Sequence, residues 1–81
     1  MTLYQFKMLD EMKQIEVVWD SILLAKRSDD QYDYELYQID SFYAEVRYRI
    51  NERPVNGLKT FANPDLLIPY LNQIDISKLK S

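Results

Sequence analysis

Residues 32–50, YDYELYQIDSFYAEVRYRI, read as a single β-hairpin that carries most of the chain's tyrosines. A strand turns successive side chains to opposite faces, so alternation with a period of two sorts the residues by face. Tyr32, Tyr34 and Leu36 share a face of the first strand, Phe42, Ala44, Val46, Tyr48 and Ile50 share one of the second, and together they line one core. Pairing Leu36 with Val46 sets Asp33 opposite Arg49 and Glu35 opposite Arg47, two favourable cross-strand ion pairs on the outer face. Slipping by one residue sets Tyr34 opposite Arg47 and buries Glu35 beside Val46, so the first register is expected. It leaves a three-residue loop without glycine, in which Asp40 or Ser41 absorbs the turn.

The hairpin frames what lies on either side. Before it, ILLAKR reads as a short strand and Ser28, Asp29, Asp30 and Gln31 as a turn. After it comes a polar loop over 51–56 containing Pro54, then Asn56-Gly57 as turn residues ahead of the strand LKTF. Four strands are predicted, at 22–27, 32–39, 43–50 and 58–62, forming an antiparallel meander. Upstream, Leu9, Met12, Ile15, Val18 and Trp19 recur at helical steps behind Asp10, which predicts a capped helix over 10–19. Leu3 and Phe6 extend that stripe backwards, with Thr2 and Gln5 in capping-box spacing, so a bend is expected near Leu9. Downstream, Asn63-Pro64-Asp65 reads as N-cap, proline at the first helical position and an acid in the first turn. Pro69 interrupts regular helix, predicting one helical turn and then a second over 69–72. The expected fold is a single α+β domain over 1–81. Its N-terminal helix and short C-terminal helix are packed on one face of the sheet, and the other face stays partly open.

Composition limits the chemistry. The chain of 81 residues has no histidine or cysteine, a net charge of −3 and 47 % hydrophobic residues. That balance belongs to a packed globule. Without cysteine there are no disulfides, thiolate catalysis or cysteine-ligated metal, which fits a reducing compartment. The start, MTLYQFKMLDE, has neither a basic region nor a long apolar run, and no window approaches the roughly 20 residues of a membrane helix. A cytoplasmic protein without membrane association is expected. The negative charge gives no general attraction to nucleic acid.

No cofactor is expected, and no set of residues reads as catalytic or metal-binding. Asp29, Asp30, Asp33 and Glu35 could hold a hard cation, but they match no EF-hand spacing and read as a solvated turn. Asp40-Ser41 reads as turn chemistry, and Met8, Met12 and Trp19 as core. The hairpin tip differs: in the expected register Tyr37, Ile39 and Tyr43 lie opposite the core and could form a contact surface, with Arg47 and Arg49 setting register at its rim.

The segments LYQIDSFYAEVRY (Leu36 to Tyr48) and LIPYLNQIDI (Leu67 to Ile76) resemble those of a family of short, functionally uncharacterised bacterial proteins from gut anaerobes. The resemblance covers most of the chain and implies a compact α+β domain, with no activity and no residue roles attached. The expected function is non-enzymatic association, with another protein or as a homodimer, through Tyr37, Ile39, Tyr43, Arg47 and Arg49. The alternative is an acidic inhibitor or nucleic-acid mimic encoded by a mobile element, using Asp29, Asp30, Asp33 and Glu35. A small hydrolase ranks third.

Overall fold

Local signals at the N-terminus are met in full by the structure, a computed structural model that describes residues 1–52 and 54–70. Helix α1 spans Leu3–Lys7, and Thr2 and Gln5 form a reciprocal capping box across it. Helix α2 spans Glu11–Trp19, with the Asp10 carboxylate accepting the Lys13 N–H at 2.9 Å. Each cap satisfies backbone donors that a helix start leaves without partners. The chain bends between the two helices, and the Gln14 amide donates to the Phe6 carbonyl across the bend at 3.1 Å.

Four strands follow: β1 (Ile22–Ser28), β2 (Tyr32–Ile39), β3 (Phe42–Arg49) and β4 (Gly57–Phe61). They pair in chain order as an antiparallel meander, giving the expected α+β fold. A 3-10 helix, Pro64–Tyr70, closes the described chain and runs through Pro69 as one element. The part of the second expected turn beyond residue 70 lies outside the described residues.

The hairpin register is the slipped one. Leu36 pairs with Glu45 rather than Val46, Glu35 with Val46, and Tyr34 with Arg47. Ile39 therefore faces Phe42 across a two-residue turn, in which Asp40 takes a positive φ of 52°. Aspartate tolerates that region better than most side chains, which lets the tight turn form without glycine.

Magnitudes explain the outcome. An exposed cross-strand ion pair is worth roughly 0.2–1 kcal/mol, whereas fully burying one large apolar side chain is worth about 1.5–3 kcal/mol. The observed register buries side chains on both faces of the hairpin, so it outweighs the two surface ion pairs that the other register offers. Glu35 is not buried unpartnered beside Val46: it accepts the Tyr37 hydroxyl at 2.8 Å and lies 3.7 Å from Lys26.

This register corrects the expected single core and single covered face. On one face, Tyr37, Ile39, Phe42, Ala44 and Val46 are buried with Phe6 of α1 and Val18 of α2. On the other, Ala25, Leu36, Tyr43 and Phe61 are buried with Leu67 and Tyr70 of the 3-10 helix. The helical segments thus lie on opposite faces, because odd and even residues of β2 each supply an apolar set. A bulge at Leu24 in β1 adds one residue there, and Leu24 joins the 3-10 side. The result is a flattened molecule of 36 × 31 × 17 Å.

Candidate interaction surface

Burial removes the hairpin tip as a contact surface. Tyr37 and Ile39 lie beneath the N-terminal helices and Tyr43 beneath the 3-10 helix, all three buried. In the expected register they would have shared an outer face, and the slip sends them inward. Arg47 and Arg49 stay on the 3-10 side of the sheet. The Arg47 guanidinium stacks 4.6 Å from the Tyr32 ring and its Nε donates to Asn56 at 3.0 Å. Gly57 leaves room for it: a Cβ there would meet the same guanidinium at 3.0 Å.

Beside them sits a linked polar group. The Tyr70 hydroxyl donates to Glu45 Oε2 at 2.5 Å, Arg27 reaches the same oxygen at 3.5 Å, and Arg27 covers the Tyr34 ring at 3.8 Å. Tyr34 in turn donates to Asp29 at 2.8 Å. Arg27 and Arg47 are thus already engaged by aromatic rings and acceptors.

Two phenols report on this packing. Burial first, then the hydrogen bond to Glu35, raises the Tyr37 pKa well above its ordinary value near 10. Burial and then the Glu45 bond do the same for Tyr70. A group whose folded pKa is raised contributes stability that is fully present below its unfolded pKa and is lost as pH rises toward the folded one. Stability is therefore expected to fall above about pH 10. A phenolate absorbance titration should contain a component that appears only with unfolding, and a Tyr37→Phe/Tyr70→Phe variant should lack it. If all the phenolate signal develops while the chain stays folded, the two hydroxyls are not held as described.

The acidic residues singled out from the sequence disperse. The Asp29 carboxylate caps the β1–β2 turn by accepting the Gln31 and Tyr32 N–H groups, each at 2.8 Å, while Ser28 donates to Asp33 at 2.6 Å. Those backbone bonds, with Gln31 first, and the Tyr34 hydroxyl hold the Asp29 carboxyl below the usual carboxylate range. Among the described residues, no group of three or more carboxylates converges to hold a metal.

What the surface offers instead comes from the N-terminal helices. Tyr4, Met8, Met12 and Trp19 are between 57 % and 74 % exposed. The first three recur at four-residue steps through α1 and into α2, and Trp19 closes α2. Among the residues expected to form the core, Met8, Met12 and Trp19 are thus corrected to surface positions, while Val18 supplies the fully buried side chain of α2.

Trp19 is the hub. Its indole N–H donates to the Tyr48 hydroxyl at 3.3 Å, tying the end of α2 to the sheet. Three clefts meet there. One is lined by Trp19 and Tyr48 with Asp33, Glu35, Asn51 and Glu52. A second lies between Glu16, Val17, Trp19 and Asp20. The third runs along α2 past Met12 and Ile15 to Val55, flanked by Asp10, Glu11, Lys13 and Glu16.

Neither protein-family models, curated proteins nor solved structures give a match to the chain. The functional reading therefore rests on this geometry. No helix among the described residues is long and apolar enough to cross a membrane.

Proposed function

We propose that this protein is a non-enzymatic interaction module that docks another protein on the exposed side of α1 and α2. One observation carries the reading: Met12 and Trp19 line one cleft along α2 while standing largely in solvent, and Tyr4 and Met8 are as exposed on and just after α1. Isolated exposed apolar residues are ordinary, but a run of them with aromatic and methionine side chains is the composition of an interface centre. Methionine adapts to varied partner surfaces, and tryptophan supplies much contact area at low entropic cost. The chain's lack of histidine and cysteine supports association over catalysis.

A Met12→Ser/Trp19→Ser variant tests it. Both side chains are largely outside the core, so the variant should keep its far-UV circular dichroism and melt within a few degrees of the wild type. Recovery of partners on the immobilised protein should weaken at least about tenfold, because exposed tryptophans are frequent hot spots. Unchanged partner recovery would sink the proposal.

A further inference from the structure

The charges around Met12 and Trp19 are not evenly mixed. Asp33, Glu35 and Glu52 border Trp19 on the sheet side, while Glu16 and Asp20 border it on the α2 side. Among the described residues lining these clefts, Lys13 is the cation. Lys26 approaches Glu35 at 3.7 Å from the rim, its side chain largely in solvent. The arginines Arg27 and Arg47 lie on the opposite face of the sheet, held by Glu45, Tyr34, Tyr32 and Asn56. Among the described residues, five carboxylates thus surround one exposed tryptophan, with one lysine in the clefts and another at the rim.

Resting on the interaction-module reading above, we propose that the surface around Trp19 docks a cationic amphipathic segment of another protein. Apolar side chains of that segment lie along Met12 and Trp19. Its lysine or arginine heads enter the clefts on either side, toward Asp33, Glu35 and Glu52 and toward Glu16 and Asp20. Complementarity of charge selects the partner, and the aromatic walls add to it, since a guanidinium or ammonium held over an indole or phenol ring is attracted by the ring face. The same charges disfavour a symmetric pair of this chain. A two-fold interface sets each patch against its own copy, and Glu16 and Asp20 would then meet like charges.

The single tryptophan makes the surface its own reporter. The probes are three synthetic peptides of about 18 residues, enough for five helical turns. One is a Leu/Lys peptide with leucines at helical spacing, the second its Leu/Glu twin, and the third a Gly/Lys twin without apolar residues. Binding is followed by Trp19 emission and by anisotropy of the labelled peptide at low and physiological salt. The Leu/Lys peptide should shift Trp19 emission to the blue and bind at least about tenfold more tightly than either twin, more weakly as salt rises. A Glu16→Lys/Glu52→Lys variant, altered at two exposed positions, should lose about tenfold for Leu/Lys and gain for Leu/Glu. Equal binding of the Leu/Lys and Leu/Glu peptides would overturn the cationic partner and leave the apolar docking surface standing. Equal binding of the Leu/Lys and Gly/Lys peptides would overturn the amphipathic requirement. Silence with all three peptides, alongside wild-type self-association that Met12→Ser/Trp19→Ser abolishes, would make the occupant a second copy. Silence together with partner recovery unaffected by that double variant would end both this inference and the reading on which it rests.

Discussion

Replacing Phe42 by alanine is expected to destabilise the protein by about 3–5 kcal/mol, the range for removing a fully buried aromatic side chain. Phe42 is 1 % exposed and opens β3 directly across from Ile39, beside the turn that sets the register. Its ring meets that of Phe6 edge-on with centroids 5.5 Å apart, and Phe6 is the buried residue of α1. The substitution therefore opens a cavity and removes the aromatic contact that fastens the first helix. Domains are typically stable by only about 5–15 kcal/mol, and short chains bury a smaller share of their surface than long ones. Urea unfolding of Phe42→Ala should show a sharply lowered midpoint, or no folded baseline at all. Phe42→Leu, which keeps most of the volume, should lose less than half as much. Equal, small losses in both variants would mean that Phe42 is not the packing centre of the helix-covered face.

The elements of this fold were legible because their signals are local. Thr2 with Gln5, Asp10 before α2, and Asn63-Pro64 each mark a helix start by the chemistry of one or two side chains, and a helix starts at each. The meander follows from short connections between strands that alternate in polarity. The register was not local in this sense. Tyrosine suits either a buried or a half-exposed position, so a hairpin rich in it satisfies a period of two in both alignments. Only two surface ion pairs then separate the alignments locally, the weakest interactions at stake. Burial across two faces decided it, and that depends on α1, α2 and the 3-10 helix arriving from distant parts of the chain. One local signal pointed to the observed alignment: Asp40, a residue that accepts a positive φ, sits where a two-residue turn needs one.

The candidate surface was hidden for a related reason. The apolar set Met12, Ile15, Val18 and Trp19 has the spacing of one stripe, yet a helix lying on a sheet covers only part of its circumference. At about 100° per residue, Met12 and Trp19 fall on the same flank, roughly 100° to 120° from Val18. With Val18 turned fully inward and Gln14 bonded to the first helix beside it, that flank is left to solvent. The width of the apolar arc, more than its spacing, was the signal for an exposed patch. The carboxylates around it come from α2, β2 and the segment after β3, so only the fold brings them together.

Removing the Glu45 carboxylate is expected to cost about 2–3 kcal/mol, more than its sequence position at the centre of a short strand would indicate. Its side chain is 15 % exposed, and it accepts the Tyr70 hydroxyl while Arg27 lies within 3.5 Å. In Glu45→Ala the Tyr70 hydroxyl, on a residue that is fully buried, loses its acceptor, and the Arg27 charge is left against aromatic rings without its counter-charge. The cost is chiefly that of groups left unsatisfied, which gives the prediction a second and sharper part. Arg27→Met in the Glu45→Leu background, with Tyr70→Phe, should unfold at a higher urea concentration than Glu45→Ala, because an apolar replacement of the whole group strands no polar atom. A single loss near zero, or a combined variant whose loss equals the sum of its parts, would show that the three side chains do not act as one unit. If they do, the 3-10 helix is held on the sheet by a specific polar link as well as by Leu67. The two faces are then fastened differently: a mainly apolar seam under α1 and α2, with the exposed Trp19–Tyr48 hydrogen bond at its edge, and an apolar patch fixed by one shared carboxylate under Tyr70.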